Sequence, residues 1–281
     1  MKGVNNVLEI PETRNVSKEL RKEILGKAIT NVGGNFTDHK FTFYYGDPEE
    51  YKNYLVNKKV TDIIDRNYYV EIEIEDYKLI MRDGANIRYY KDRKDLPEKS
   101  KLLLEFNDGS FLNVTTAMYS AINVFSKNEN YDDEYYNLEL TRVGVLDKEF
   151  TFDYFKSLIN DETAKLSLKA FLATGQRILG IGNGSLQDIL YNAKMHPKRK
   201  INTLNERELK DLYETAIKTI KTMVKQGGRD TEKDIYGQNG GYKTILSKNT
   251  YKNKCHHCYS EIKKESYLGG TIYYCPNCQK L

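Results

Sequence analysis

Outside residues 255–278 the chain has no cysteine, and it has no tryptophan anywhere. With all four thiols crowded into one short stretch, a disulfide framework spread over the chain is excluded. No long apolar run occurs, so no helical membrane span is expected, and no secretory signal is read at the start. Proline is scarce, at five in 281 residues, which excludes collagen-like or proline-rich architecture. A large excess of one charge is also missing, since the net charge is only +4. The absence of tryptophan carries no functional reading. What remains is a chain long enough to bury a sizeable core, with about two domains expected.

The charge that is present is unevenly placed. Residues 151–281 carry 22 Lys+Arg against 13 Asp+Glu, or +9, which leaves the first 150 residues at −5. A basic C-terminal half suits a nucleic-acid backbone. Within it, Cys255/Cys258 and Cys275/Cys278 form two C-x-x-C pairs separated by sixteen residues. That spacing fits a four-thiolate tetrahedral site for structural Zn²⁺, built on a β-hairpin. Two redox-active motifs would instead want a helix N-terminus after the first thiol, and neither pair is followed by a helical pattern. His256 and His257 lie between the first two thiols, but four cysteines already complete the shell.

Residues 17–27 place Leu20, Ile24 and Leu25 at helical spacing behind Ser17 as a cap. Strand signals then follow one another over residues 41–45, 68–74, 78–82, 86–90, 101–106 and 111–116. Turns are expected at Glu75-Asp76, Asp83-Gly84 and Asn107-Asp108-Gly109. This spacing predicts an antiparallel β-sandwich or barrel over residues 1–125, and the acidic stretch 126–136 reads as a linker. Beyond it, residues 152–159, 165–172, 186–193 and 206–225 read as amphipathic helices, with Asn205 capping the last. Between the second and third, Gly180, Gly182 and Gly184 surround Asn183 just before a helix. Backbone N–H groups there can face an anion.

At this point the chain resembles the formamidopyrimidine-DNA glycosylase and endonuclease VIII family along nearly its whole length. Residues 177–200 (RILGIGNGSLQDILYNAKMHPKRK) resemble the family's helix–two-turn–helix, and residues 269–279 (GGTIYYCPNCQ) its zinc finger. Residues 8–20 resemble, more softly, its N-terminal opening and the helix after it. The resemblance implies an α+β fold of two domains. A β-sandwich with a flanking helix (1–125) would be followed by a helix–two-turn–helix bundle (137–248) and a four-cysteine finger (249–281). It also implies a DNA glycosylase of base-excision repair that flips a damaged base from double-stranded DNA. Such a protein is expected to be monomeric, cytoplasmic and bacterial, working at the nucleoid, with no membrane partner.

In the family, an N-terminal proline amine attacks C1′ and the neighbouring glutamate manages protons. The resemblance lays Leu8 on the proline and Glu9 on the glutamate, so the acid is kept and the nucleophile is not. Base release is therefore expected to depend on Glu9. Strand nicking is expected only if a primary amine can form the imine. Lys2-Gly3-Val4 can be encoded with a GGAG ribosome-binding sequence and Val7 by GUG, so a start at position 7 is an alternative expectation. Asn183, with Gly182 and Gly184, matches the family's phosphate-binding turn, and Lys169 a lysine near the lesion pocket. The family's finger arginine falls on Gly270 and a sandwich lysine near Tyr68. Its wedge pair falls near Met118-Tyr119-Ser120, which leaves Met81 or Tyr119 as wedge candidates. Lys263, Lys264 and Arg229 are candidates to offset the cost of flipping. The alternative is a non-catalytic binder of damaged or bent duplex.

Overall fold

The computed structural model describes residues 8–34 and 41–281, apart from the Met118 side chain. The alternative start at Val7 lies outside the described residues. The chain divides into two compact units. One comprises residues 1–133 with 232–240, the other 134–231 with 241–281.

In the first unit, α1 (Ile10–Ile24) precedes β1 (Ile29–Gly33), β2 (Thr42–Tyr44), α2 (Tyr51–Leu55) and β3 (Val60–Asp65). Then come β4 (Tyr69–Ile74), β5 (Tyr77–Tyr90), β6 (Leu102–Phe106) and β7 (Phe111–Ser126). Pro11 sits in the first turn of α1, where its missing N–H costs nothing. The helix thus begins seven residues before Ser17, which is buried inside it rather than capping it. Val16, Leu20 and Ile24 place one face of α1 on the core.

The strands form one sheet in the order β1-β6-β7-β5-β4-β3, with β2 alongside β7. Every pairing is antiparallel except β2–β7, which is parallel. β5 and β7 are long enough to serve both halves of the sheet, and their register breaks between Asp83 and Ala85. On either side of the break the strands cover a single core. Ile72, Leu79 and Val124 come from one half and Leu104, Leu112 and Val114 from the other. Asp83-Gly84, expected as a turn between two strands, is thus an irregularity within one. A two-residue I′ turn needs positive φ at both central positions, and of the two only Asp83 has it, at 58°.

Residues 232–240 return to this unit from the far end of the sequence. Tyr89 N–H donates to Ile235 O (2.8 Å), Ile235 N–H to Glu19 Oε2 (3.2 Å), and the Tyr236 hydroxyl to Glu23 Oε1 (2.8 Å).

The second unit contains α3 (Glu134–Thr141), α4 (Phe152–Ser157), α5 (Leu168–Ala173), α6 (Asn183–Asn192) and α7 (Glu206–Lys225). It closes with β8 (Lys263–Tyr267) and β9 (Gly270–Tyr274). The bounds of α7 are those expected, because its signals are all local. The Asn205 side chain accepts from Glu208 N–H (2.9 Å) and the Glu208 carboxylate from Asn205 N–H (3.0 Å), a complete capping box.

Candidate nucleic-acid interface

Strands β8 and β9 are joined through Leu268 (φ 47°) and Gly269 (φ 70°), with Tyr267 paired to Gly270. Two consecutive left-handed residues give a tight turn whose twist matches the strands. The C-x-x-C pairs flank this hairpin and bring all four sulfurs within 4.8 Å of one another. Cys255 Sγ lies 3.8 Å from Cys278 Sγ, and Cys258 Sγ 3.4 Å from Cys275 Sγ. A tetrahedral ion with bonds of about 2.3 Å sets its sulfurs about 3.8 Å apart, so the four thiols fit one metal ion. His256 and His257 are exposed. The His257 ring stacks on Tyr191.

Tyr191, on α6, connects this cluster to the helices. Its hydroxyl is 3.2 Å from Cys255 Sγ and accepts from His256 N–H at 3.0 Å. Sequence reasoning did not single it out, since a tyrosine on a helical face usually reads as core. On the other side, the Gln279 amide donates to Met195 O (2.9 Å) while its oxygen accepts from Cys275 N–H (2.9 Å).

The start of α6 meets the tip of the hairpin. Gly182 is the N-cap, in an extended conformation and with no side chain to cap the helix. Asn183 is exposed at the first helical position, and its Nδ2 donates to Thr271 O at 3.0 Å. Gln187, one turn on, donates to the same carbonyl (3.1 Å) and accepts from Tyr273 N–H (3.0 Å). It too was missed, although its i+4 relation to Asn183 places it on the same face. Lys169, on α5, is only 4% exposed and donates to Tyr267 O. Burial pushes its ammonium below the usual lysine value. A Cβ on Gly270 would lie 3.1 Å from Lys169 Nζ and 3.6 Å from the Asn183 amide carbon. Lys169, Asn183 and the fingertip are therefore one cluster, with Gly182 and Gly184 beside it.

Glu9 belongs to the first unit. It is the N-cap of α1, 2% exposed, and its carbonyl accepts from Glu12 and Thr13 N–H groups at 3.0 Å each. Just before it, Leu8 N–H donates to Asp83 O at 3.1 Å. Leu8, Glu12, Ala85 and Arg88 line a small cavity of about 10 Å³, room for about one water molecule.

Two expectations need correction. Met81 is fully buried between strands and cannot act as a wedge. Arg229 is buried too, in a bridge with Tyr242, and is removed from the candidate DNA contacts. Lys263 and Lys264 are exposed, as is Tyr119 at 50%. The Tyr119 ring packs edge-on against Phe41 and parallel to Phe43.

The family model described as the formamidopyrimidine-DNA glycosylase H2TH domain matches residues 143–234. Formamidopyrimidine-DNA glycosylase of Cytobacillus firmus is 24% identical over 279 residues, covering 96% of this chain and 99% of that protein. The Brevibacillus brevis protein of the same name is 26% identical over 280 residues, covering 97% and 99%. Among solved structures, Lactococcus lactis Fpg bound to DNA containing an abasic site superposes with a TM-score of 0.80 at 23% identity, covering 97% of this chain and all of that one. MutM (Fpg) of Thermus thermophilus gives 0.79 at 19% identity, covering 96% and 98%. The helical unit thus matches the formamidopyrimidine-DNA glycosylase H2TH domain, and the chain is similar from end to end to formamidopyrimidine-DNA glycosylases and shares their fold.

Proposed function

We propose that this protein is a DNA glycosylase of base-excision repair, acting in the bacterial cytoplasm on damaged or modified bases in duplex DNA. The observation that carries the catalytic part is Glu9. It is a carboxylate retained at the start of α1, beside the backbone position where the family keeps its amine. Residues 1–125 are the catalytic part, 137–248 the DNA-binding part apart from residues 232–240, which pack with the sheet unit, and 249–281 the finger. Asn183, Gly182 and Gly184 take the phosphates at the lesion, helped by the positive end of α6, with Lys169 beside them at the lesion pocket. Cys255, Cys258, Cys275 and Cys278 hold structural Zn²⁺. When bound, the ion supplies folding energy to the finger and takes no part in the bond cleavage.

Leu8 carries no free amine in this chain, so hydrolysis is the primary chemistry. Glu9 accepts a proton from water as the water oxygen bonds to C1′. The N-glycosidic bond breaks, and the base leaves with the bonding electrons and gains a proton.

Base release from a panel of lesion-containing duplexes tests this. Glu9→Gln is expected to slow release by about 10²–10⁴-fold, the usual contribution of a positioned acid–base group, with duplex affinity unchanged. Borohydride trapping on an abasic duplex separates hydrolysis from imine chemistry. Tight binding with no base released from any duplex means a binder, and ends the enzymatic reading.

A further inference from the structure

The ladder between β5 and β7 is continuous from Tyr77↔Ser126 to Asp83↔Ser120, and again from Ala85↔Thr116 to Tyr90↔Phe111. Between these runs, Gly84 faces residues 117–119 without a pair. Asp83 stands at the edge of the break with φ 58°, a left-handed conformation that costs a residue with a β-carbon on the order of 1–2 kcal/mol. It is held from two sides. Its carbonyl accepts from Leu8 N–H, one residue before Glu9. Its ladder partner Ser120 is fixed by a hydroxyl chain, 2.6 Å to Thr116 and from there 2.7 Å to Thr42.

Glycine would form the same irregularity without strain. What the position keeps at that cost is a carboxyl group, and the Asp83 side chain remains 44% exposed. The charged groups facing it are Arg82, at 3.4 Å, and Asp133, itself 3.1 Å from Arg82. Crowding by the surrounding protein raises the Asp83 carboxyl above the ordinary range. Arg82 opposes the shift and Asp133 adds to it.

We infer that Asp83 is a second catalytic carboxyl group, the proton donor to the departing base, paired with Glu9 as the proton acceptor from water. This rests on the glycosylase reading. The step balances without a co-reactant. Water loses a proton to Glu9 and bonds to C1′, the C1′–N bond breaks with its electron pair going to the base nitrogen, and Asp83 supplies that nitrogen's proton. Solvent then returns the proton from Glu9 to Asp83. One protonated and one ionised carboxyl is the division of labour expected where a glycosidic bond is hydrolysed, and the raised Asp83 carboxyl suits the donor.

Single-turnover base release, measured against pH, tests the assignment in wild type, Glu9→Gln, Asp83→Asn and Asp83→Gly. Both substitutions at 83 tolerate positive φ, so the fold is kept, and thermal melting checks this. Asp83→Asn is expected to slow release by about 10²–10⁴-fold with duplex affinity unchanged. The fall in rate at alkaline pH disappears, whereas Glu9→Gln slows release and keeps that fall. A wild-type rate in Asp83→Asn, a slowed Asp83→Asn that keeps the alkaline fall, or a loss of affinity or melting temperature at 83 assigns the residue to the backbone alone and overturns the inference. A wild-type protein that releases no base from any duplex removes the glycosylase reading itself, and the inference with it.

Discussion

Gly270 has no side chain at the place where a fingertip cation would reach out, and Lys169 Nζ fills that space. The contact that an added Cβ would make is with the far end of a flexible lysine, so the lysine can give way. The φ of Gly270 is not positive, so a larger residue fits the backbone. Gly270→Arg is therefore expected to fold and to add a guanidinium able to bind phosphate through two hydrogen bonds. Each phosphate neutralised steepens the dependence of log K on log salt by about 0.9 on duplex DNA. Titrating an abasic duplex by fluorescence anisotropy over a range of salt should show a slope steeper by about 1. An unchanged slope means that position 270 does not face the backbone. The cysteine cluster could be read from residue type and spacing and the turn around Asn183 from its glycines, whereas Glu9 and Lys169 were reached only through the resemblance. The burial of Met81 and Arg229 could not be read, because it depends on partners distant in sequence.

Helix α6 is tied to the segment leading into the finger by one buried side chain. Asp188 accepts from Ile245 N–H (2.9 Å) through one oxygen and from Leu246 N–H (2.8 Å) through the other. Asp188→Ala leaves one buried donor, Leu246 N–H, and one half-buried donor, Ile245 N–H, unpaired, the buried one at about 1–3 kcal/mol. A clear drop in melting temperature by calorimetry is expected, and a change below one degree would deny the tie its role. Elements whose signals are local were legible in the sequence. The amphipathic α7 with its cap at Asn205 is one, and the hairpin around Leu268-Gly269 follows from the cysteine spacing. Elements defined by distant partners were not. β1 and β3 were absent from the expected strands, since Asn31, Thr61 and Asp62 interrupt their apolar pattern and only pairing with β6 and β4 makes them strands. The Asp-Gly pair in β5 misled for the same reason, because its turn chemistry is real but β7 keeps the strand going.

On the scale of the whole molecule, the net positive charge and the four thiols share the second half of the chain, and the finger is bonded to the helix that carries Asn183. Thr271, Tyr273 and Tyr267 on the hairpin are held by Asn183, Gln187 and Lys169, while Cys255 is held by Tyr191. A structural zinc ion contributes about 10–16 kcal/mol to folding in finger peptides. Losing the proposed ion should therefore loosen the turn at Asn183 as well as the hairpin. With a strong chelator, all four cysteines should become reactive to a thiol reagent, and affinity for duplex DNA should fall in parallel. The melting of the sheet unit should stay in place, because Glu19, Glu23 and Tyr89 hold residues 232–240 without help from the metal. Adding zinc back under reducing conditions should restore binding and protect the thiols together. If the thiols become reactive while affinity is untouched, the finger does not bear on DNA, and the turn at Asn183 acts alone.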